Sequence, residues 1–429
     1  MDRIELHKAG HCRGEFSPTP DKSISHRAVL FSSLAKGRSV IRNFLRAEDP
    51  LSTLRACRAL GADIDDSGDD IIVRGTGIRC LAEPSDVIDC GNSGTTMRLL
   101  AGVLSGNAIF SVLTGDASLR MRPMARIIQP LRLMGAEILA RAENKYPPLA
   151  IKGGALKGIT YSMPIASAQV KSALVLAGLC AAGQNRITEP AQSRDHTERM
   201  LPAFGADVAV DGLSVTVNSG GELLGTDITV PGDFSSAAFF IVAAILVRNA
   251  DITITGVGIN PTRTGLLRVL REMGAAIEIS HIREVSGEAV ADIHCRGSAA
   301  LNAITVTGEQ IPALIDEFPV LCVAATQAAG VTTIRGAEEL RVKESDRIRT
   351  MVTELRKMGA EVDEFHDGLS ISGGRPLRGA VIESYGDHRV AMAMTVAGLI
   401  AEGSTTVHGI SYVNISFPGF FQLLRTLTA

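Results

Sequence analysis

The sequence contains no tryptophan and only four tyrosines among 429 residues. Proteins that bind single-stranded nucleic acids stack the bases on aromatic side chains, so this scarcity argues against such a platform. The 43 basic and 46 acidic residues leave a net charge of −3, which attracts neither nucleic acid nor an anionic membrane. We therefore expect no nucleic-acid partner.

Long apolar runs are also missing. The longest strongly apolar run, residues 237–247, ends at Arg248, whereas a membrane-spanning helix needs about 20 apolar residues. Residues 1–5 carry charged side chains and do not resemble a signal peptide. We therefore expect no membrane partner.

Cysteine usage excludes two further classes of protein. The seven cysteines are an odd number, and they form neither a Cys-x-x-Cys pair nor a cluster with histidine. This pattern argues against a disulfide framework and against a structural zinc site. We expect a cytoplasmic protein without a metal ion.

The chain contains a repeated helical phrase that ends in Gly-Ala before a strand-like stretch. Its glycines are Gly61, Gly135, Gly205, Gly274 and Gly359, at intervals of 74, 70, 69 and 85 residues. Because glycine readily adopts the left-handed conformation at a helix C-terminus, each phrase predicts a helix end. A weaker copy lies at residues 420–429.

A second phrase alternates with the first. It is an apolar helix, a small polar stop and a β-rich strand, with helices at residues 28–35, 97–104, 174–182, 237–247, 321–329 and 391–401. Each unit therefore reads strand–helix–strand–helix–strand–strand, and six units average about 71 residues. We expect an α/β fold of two domains with three units each and a break near residues 231–233. One continuous α/β sheet is the alternative.

The loops before these helices are rich in glycine, serine, aspartate and basic residues. They include residues 21–27, 91–98, 166–171, 232–236, 316–317 and 386–389, and the second helices begin in similar stretches at 115–124, 193–199 and 341–347. If these loops lie at one end of their sheets, the partial positive charges of many helix N-termini converge. The nearby cations are Lys22, Arg27, Arg122, Arg194, Lys343, Arg347 and Arg389. This combination predicts a site for a ligand with several negative charges.

These motifs together resemble those of the 3-phosphoshikimate 1-carboxyvinyltransferases (5-enolpyruvylshikimate-3-phosphate synthases) in the enolpyruvyl transferase family. The matching segments are 21–27, 91–95, 115–124, 167–169, 193–198, 341–347 and 386–389. The resemblance implies two domains, each an inside-out α/β barrel of three βαβαββ units. It implies domain bounds of 1–20 plus 234–429 for one domain and 21–233 for the other, with the active site in the cleft between them. A monomer without a cofactor is expected.

The resemblance also implies an activity, the transfer of the enolpyruvyl group of phosphoenolpyruvate to the 5-hydroxyl of shikimate 3-phosphate. This reaction belongs to aromatic amino acid biosynthesis, and the herbicide glyphosate targets it. Position by position, the resemblance implies that shikimate 3-phosphate is held by Lys22, Ser23, Arg27, Ser167, Gln169, Arg194, Asp316 and Lys343. The residues implied for phosphoenolpyruvate are Lys22, Gly94, Arg122, Gln169, Arg347 and Arg389.

The same resemblance implies the catalytic groups. Asp316 matches the base that removes the hydroxyl proton, and Glu344, helped by Lys22, matches the donor and later acceptor of the methylene proton. A carboxylate close to Lys343 and Arg347 normally stays ionised, so the acid role of Glu344 requires a particular environment in the bound state.

Two departures from the family pattern, and a resemblance to one of its classes, affect the details. Pro20 replaces the usual glycine before Asp21, and proline fixes φ and removes a donor at an expected interdomain crossing. Residues 414–418 lack the lysine that many members place in the phosphoenolpyruvate site. Residues 167–171, 194–198 and 260–263 resemble signatures of the second class of the family, which often tolerates glyphosate, but Pro20 and Gly94 do not fit that tolerance. Tolerance therefore stays an open hypothesis.

Two other functions compete with this one. The sister transferase that acts on UDP-N-acetylglucosamine shares the fold, but it has Lys-Asn in place of Lys22-Ser23 and usually a cysteine near Met121. A binding protein that has lost catalysis would be expected to lack Asp316, Glu344 or Lys22, and all three are present.

Overall fold

The structure is a computed structural model that describes residues 2–298 and 300–429. The chain divides into two compact units. Unit 1 comprises Met1–Thr19, Gly232–Arg283 and Ala289–Ala429, and unit 2 comprises Pro20–Pro231 and Glu284–Glu288. Each unit buries its own cluster of apolar side chains.

The helices follow the predicted alternation. They are α1 (Lys22–Leu34), α2 (Glu48–Ala59), α3 (Gly94–Ser105), α4 (Ala125–Leu133), α5 (Arg141–Asn144, a single turn), α6 (Ala168–Cys180), α7 (His196–Met200), α8 (Phe234–Leu246), α9 (Gly265–Glu272), α10 (Ile311–Leu314), α11 (Phe318–Thr326), α12 (Arg347–Lys357), α13 (His388–Gly398) and α14 (Phe420–Thr428). Short 3₁₀ helices cover Leu119–Met121, Leu201–Phe204, Glu338–Val342 and Ile410–Ile415.

The strands are short. They are β1 (Arg3–His7), β2 (Arg13–Phe16), β3 (Lys36–Arg42), β4 (Asp63–Asp65), β5 (Ile71–Thr76), β6 (Ile88–Asp89), β7 (Phe110–Thr114), β8 (Glu137–Ala140), β9 (Tyr146–Lys152), β10 (Thr160–Ser162), β11 (Asn185–Thr188), β12 (Val208–Asp211), β13 (Ser214–Val217), β14 (Ile228–Thr229), β15 (Asp251–Gly258), β16 (Ile277–Val285), β17 (Glu288–Arg296), β18 (Leu301–Asn302), β19 (Thr305–Val306), β20 (Ala328–Ala329), β21 (Val331–Ile334), β22 (Glu361–Phe365), β23 (Gly368–Ser372), β24 (Val381–Glu383) and β25 (Ser404–His408).

Unit 2 contains three four-stranded sheets with the orders β14-β3-β5-β4, β6-β7-β9-β8 and β10-β11-β13-β12. In each sheet the first two strands are parallel, and the remaining neighbours are antiparallel. The recurrence of one pairing pattern is the structural counterpart of the sequence repeat. The first sheet takes its parallel edge strand, β14, from the far end of the unit.

Unit 1 repeats this pattern with more variation. Its sheets have the orders β16-β17-β15-β2, β19-β21-β23-β22 and β1-β25-β24, and β18 pairs with β20. The N-terminal strand β1 is antiparallel to β25, with Arg3 opposite His408. The mixture of helices and small mixed sheets in both units confirms the predicted α/β class.

The apolar helices form the centre of each unit. In unit 1, α8, α11 and α13 pack against one another, and in unit 2, α3 packs against both α1 and α6. Such helices are apolar on all sides because neighbouring elements cover every face. Three helices end earlier than predicted, because α6 ends at Cys180, α11 at Thr326 and α13 at Gly398. Beyond Thr326 the apolar run continues as β20, and apolar character alone does not separate a buried helix from a buried strand.

The predicted helix-terminating glycines are confirmed. Gly61, Gly135, Gly205, Gly274 and Gly359 all have positive φ, between 84° and 107°. Across residues 2–298 and 300–429, no helix combines the length and apolar character that crossing a membrane requires. Among the same residues, no three His, Cys, Asp or Glu side chains are grouped to hold a metal ion.

Candidate active site

The predicted site residues divide between the two units, and each set is described by itself. Unit 2 carries Lys22, Ser23, Arg27, Gly94, Arg122, Ser167, Gln169 and Arg194. Unit 1 carries Asp316, Lys343, Glu344, Arg347 and Arg389. Nearly all of them lie at or just before helix N-termini, as the loop pattern predicted.

The start of α1 is defined by Asp21, whose side chain accepts a hydrogen bond of 2.9 Å from the backbone N–H of Ile24. Asp21 is therefore the N-cap of α1. Lys22 follows, and its Nζ donates to Asp49 Oδ2 at 3.0 Å. Both side chains are largely buried, at 17% and 10% exposure. An ammonium group has three N–H donors, of which Asp49 takes one, so Lys22 retains capacity for an anionic ligand.

Asp49 was not among the residues predicted from the sequence. It lies in the first turn of α2, the second helix of the first repeat. The corresponding helices of later repeats also begin in charged loops, so alignment of the repeats is the signal that identifies it. One carboxylate oxygen, Asp49 Oδ1, is buried without a hydrogen-bond partner among the described residues.

A chain of buried polar contacts connects the starts of α1, α2 and α3. His26 Nδ1 lies 2.6 Å from Thr53 Oγ1, which lies 2.6 Å from Thr96 Oγ1. Thr96 in turn donates to Ser93, the cap of α3. Burial, together with the charges of Lys22 and Arg27, holds the pKa of His26 well below its usual value. His26 is therefore a neutral structural residue.

Arg27 is buried, and each of its nitrogens has a partner. Nε donates to Thr197 Oγ1 at 2.7 Å, Nη2 to Ser172 Oγ at 2.7 Å and Nη1 to the carbonyl of Ser23 at 3.0 Å. Burial lowers its pKa to about 10, and the like charge of Arg194 also lowers it. Arg27 thus stays protonated at neutral pH and lies within electrostatic range of Arg194.

Two guanidinium groups lie at the N-terminus of α3. A methyl group on Gly94 would lie 2.5 Å from Arg98 Nη1 and 3.4 Å from Arg122 Nη1. Arg98 Nη1 also donates to Gln169 Oε1 at 2.7 Å, and Gln169 Nε2 donates to Thr95 Oγ1 at 2.9 Å. A helix N-terminus with two arginines is well suited to a phosphate or carboxylate.

The partners of these arginines were not predicted. Arg122 Nη2 donates to Asn92 Oδ1 at 2.7 Å, and Asn92 Nδ2 donates to Asp116 Oδ2 at 2.7 Å. Arg98 is four residues after Gly94 in the same motif, and residues four apart share a helix face. That spacing is the sequence signal for its position beside Gly94.

Ser167 and Arg194 lie on neighbouring parts of unit 2. Ser167 occupies the N-cap position of α6, two residues before Gln169. Arg194 lies in the loop between β11 and α7 and directly follows Ser193, which donates a 3.2 Å backbone hydrogen bond to Glu189. The unit 2 set is therefore carried by the first two turns of α1, by the first turns of α3 and α6 and by two loops.

In unit 1, one buried arginine contacts three carboxylates. Arg347 Nε donates to Asp387 Oδ2 at 2.8 Å, Nη2 to Glu344 Oε2 at 2.6 Å and Nη1 to Asp316 Oδ1 at 3.4 Å. Arg347 is 1% exposed, whereas Asp316 and Glu344 remain 16% and 19% exposed. The structure thus brings the two predicted catalytic carboxylates onto one cation and leaves both partly accessible.

Arg389 lies beside the same carboxylate. Its Nη1 donates to the carbonyl of Asp316 at 3.0 Å, and its Nη2 lies 3.4 Å from Asp316 Oδ2. Asp387 caps α13 by accepting from the backbone N–H of Arg389 at 2.9 Å. Burial favours the protonated form of Asp387, but Arg347 outweighs it, so the pKa of Asp387 is lowered and the group stays ionised.

Lys343 completes this set. Burial lowers its pKa, while the charges of Glu339, Asp316 and Glu344 act in the opposite direction. Its Nζ lies 3.6 Å from Glu339 Oε1. Since each cation of the set already faces a carboxylate of the protein, an anionic ligand competes with those carboxylates for the same donors.

Comparison with known proteins identifies the family. The model of the family described as EPSP synthase (3-phosphoshikimate 1-carboxyvinyltransferase) matches residues 6–424. A protein of Thermodesulfovibrio yellowstonii with the name 3-phosphoshikimate 1-carboxyvinyltransferase is 56% identical and aligns over 100% of both chains. A Geobacter protein of the same name is 52% identical over 99% of both chains. The solved structure of EPSP synthase from Acinetobacter baumannii has a TM-score of 0.88 and 46% identity, covering 100% of this chain and 98% of that one. The resemblance inferred from the loop motifs is thereby confirmed.

Proposed function

Because the chain belongs to the EPSP synthase (3-phosphoshikimate 1-carboxyvinyltransferase) family, we propose that it transfers the enolpyruvyl group of phosphoenolpyruvate to the 5-hydroxyl of shikimate 3-phosphate. Phosphate is the second product, and the step belongs to the shikimate pathway of aromatic amino acid biosynthesis. The observation that carries the chemistry is the joint contact of Asp316 and Glu344 with Arg347. The family match does not favour the UDP-N-acetylglucosamine transferase.

The unit 2 residues suit the recognition of shikimate 3-phosphate. Arg27 and Arg194 provide positive charge near each other, and Ser23 and Ser167 provide hydroxyl donors at the starts of α1 and α6. Phosphate groups bind well where helix N-termini and arginines meet. We assign this substrate to Lys22, Ser23, Arg27, Ser167, Gln169 and Arg194, together with Asp316 and Lys343 of unit 1.

Phosphoenolpyruvate carries a phosphate and a carboxylate, and both require cations. The start of α3 at Gly94 lies against Arg122, and Arg347 and Arg389 flank Asp316. We assign phosphoenolpyruvate to Lys22, Gly94, Arg122, Gln169, Arg347 and Arg389. In this assignment Lys22 and Gln169 contact both substrates.

The reaction requires one base and one acid in the addition step. Asp316 accepts the proton of the 5-hydroxyl while that oxygen bonds to C2 of phosphoenolpyruvate, and Glu344, assisted by Lys22, donates a proton to C3. In the elimination step, Glu344 takes a proton back from C3 of the tetrahedral intermediate, the C2–O bond to phosphate breaks and phosphate leaves. The arginines stabilise the charge that develops on the leaving phosphate.

Several finer statements are part of the same proposal. We assign an inside-out barrel of three βαβαββ units to each domain. The proposed bounds stay at residues 1–20 plus 234–429 and residues 21–233, with the active site in the cleft between the domains. A monomeric, cytoplasmic enzyme without a cofactor completes the proposal. These statements rest on membership of the family.

The test is phosphate release from phosphoenolpyruvate, with shikimate 3-phosphate or UDP-N-acetylglucosamine as acceptor. Release only with shikimate 3-phosphate is the expected result, and release only with the UDP-sugar would overturn the proposal. Glu344→Gln keeps an oxygen for Arg347 but loses proton transfer, so kcat should fall by about 10²- to 10⁴-fold. Glu338→Gln, at an exposed glutamate of the adjacent 3₁₀ helix, is the matched control. A binding protein without catalysis would bind both ligands calorimetrically and release no phosphate.

A further inference from the structure

Unit 2 buries three charged side chains that the proposed reaction does not use. Lys171 Nζ lies 2.5 Å from Glu189 Oε1 and 2.7 Å from Glu198 Oε1. Lys171 is 0% exposed, and the two glutamates are 2% and 3% exposed. Burying such groups is expensive, because the loss of hydration of each ion often exceeds the attraction between them. The cluster is therefore weak evidence for stability alone and calls for another purpose.

The position of this cluster along the chain points to a role in holding a loop. Lys171 lies in α6, Glu189 directly follows β11 and Glu198 lies within α7. The two glutamates thus flank the loop of residues 190–195, which carries Arg194. One ammonium group therefore holds both ends of the loop that bears a proposed ligand to shikimate 3-phosphate.

Glu189 extends the contact to the residue before Arg194. Ser193 Oγ donates to Glu189 Oε2, and the backbone N–H of Ser193 donates to Glu189 Oε1 at 3.2 Å. The oxygen that accepts the backbone bond is the same one that Lys171 contacts. A continuous series of contacts therefore runs from Lys171 through Glu189 and Ser193 to the backbone of Arg194.

The far end of the loop is held from the same helix. Ser172, the neighbour of Lys171, lies 2.7 Å from Thr197 Oγ1. Arg27 donates to both of these hydroxyl groups. Consequently α6 fixes the loop with a charged contact at each end and a neutral contact at the start of α7.

We infer that Lys171 is a positioning residue for the reaction, and that it holds the loop of residues 190–195 so that Arg194 meets shikimate 3-phosphate. This inference rests on the proposed function. Methionine at position 171 has a similar length but no charge, so it leaves two buried carboxylates without their cation. The loop then opens or a carboxylate takes up a proton, and in either case Arg194 loses its fixed position.

The test uses a charge-balanced variant, Lys171→Met with Glu189→Gln, because Lys171→Met alone changes the net buried charge and endangers folding. The double variant removes one positive and one negative charge, and glutamine still offers an oxygen to Ser193. The matched control is Lys36→Met with Glu222→Gln, which removes an ion pair of the same unit whose side chains are 51% and 63% exposed. Thermal unfolding and circular dichroism establish the fold of both variants.

Steady-state kinetics give the decisive reading. In the charge-balanced variant, KM for shikimate 3-phosphate should rise about tenfold or more, while kcat and KM for phosphoenolpyruvate change by less than about threefold. A purely structural role would instead reduce the active fraction, and therefore kcat, with both KM values intact. An unchanged KM for shikimate 3-phosphate in the folded variant would overturn the inference.

A double-mutant cycle then tests the route through Arg194. In an Arg194→Ala background, the charge-balanced variant should raise KM for shikimate 3-phosphate by less than about twofold, because the residue being positioned is gone. Equal increases in both backgrounds would show that Lys171 does not act through Arg194. If the unmodified protein releases no phosphate with shikimate 3-phosphate, the proposed function fails, which is a separate result.

Discussion

Gly94 offers the sharpest test of the phosphoenolpyruvate assignment. It is the first residue of α3, and its ideal Cβ position lies 2.5 Å from Arg98 Nη1. Alanine suits a helix better than glycine by up to about 1 kcal/mol, so Gly94→Ala should not lower the free energy of unfolding through the backbone. Its effect should instead come from the arginine that occupies the space of the new methyl group.

The size of the effect follows from the contacts of Arg98. Carbon and nitrogen atoms without a bond stay about 3.5 Å apart, so Arg98 Nη1 must retreat by about 1 Å. Its 2.7 Å hydrogen bond to Gln169 Oε1 is then lost. A hydrogen bond to a charged group contributes about 1.5–3 kcal/mol. Since about 1.4 kcal/mol corresponds to a factor of ten, kcat/KM for phosphoenolpyruvate should fall about 10- to 100-fold.

The assay is phosphate release with phosphoenolpyruvate varied at saturating shikimate 3-phosphate, followed by the reverse titration. We expect Gly94→Ala to raise KM for phosphoenolpyruvate without lowering the melting temperature. KM for shikimate 3-phosphate should change less, because Gly94 and Arg122, which the methyl group approaches, are assigned to phosphoenolpyruvate alone. A change confined to shikimate 3-phosphate would refute the assignment of Gly94 and Arg122.

A comparison in an Arg98→Ala background separates the clash from other causes. Without the guanidinium, the methyl group meets Arg122 Nη1 only at 3.4 Å. The substitution should therefore change kcat/KM by less than about twofold in that background. A loss of equal size with and without Arg98 would refute the reasoning from the clash.

Two further predictions concern ionisable groups. Burial raises the pKa of Cys180 to about 11 and that of Cys12, Cys57 and Cys295 to about 12, whereas Cys80 is exposed. Iodoacetamide at pH 8 should therefore add rapidly to one thiol per native chain, and intact-mass analysis that showed several fast adducts would contradict this. The lowered pKa of His26 means that unfolded chains bind one more proton than folded chains below about pH 6.5. The free energy of unfolding should therefore fall as the pH is lowered below that value, by up to about 1.4 kcal/mol for each pH unit. Urea unfolding between pH 5 and 7 should show a flatter dependence for His26→Gln, and an unaltered slope would count against a neutral buried imidazole.

The features that were predicted correctly from the sequence are governed by local rules. The positive φ of Gly61 and Gly205 follows from conformational preferences within one turn of a helix. The repeated Gly-Ala phrase was recognisable in the sequence because each copy places a left-handed glycine at a helix end. The third sequence repeat departs from the pattern over the same short range. Its helix α7 ends at Met200, and a 3₁₀ helix that contains Pro202 follows.

The partners of the site residues were the part that could not be predicted. Lys22 donates a hydrogen bond to Asp49, 27 residues away in the sequence, and Arg98 donates one to Gln169, 71 residues away. These choices depend on how α1, α2, α3 and α6 pack, and a single sequence carries no record of that packing. The contact between Asp316 and Arg347 is of the same kind, although the family resemblance had already indicated both residues.

The pairing of β1 with β25 has a consequence for synthesis on the ribosome. All strands of the three unit 2 sheets lie between residues 36 and 229, so those sheets can form while the second half of the chain is still being made. Strand β1, in contrast, finds its antiparallel partner only when residues 404–408 have emerged. At a synthesis rate of about 5–20 residues per second, β1 waits for about 20–80 s with its backbone donors and acceptors unpaired. During that interval the N–H and C=O groups of β1 are available for pairing with other strands, including those of another chain.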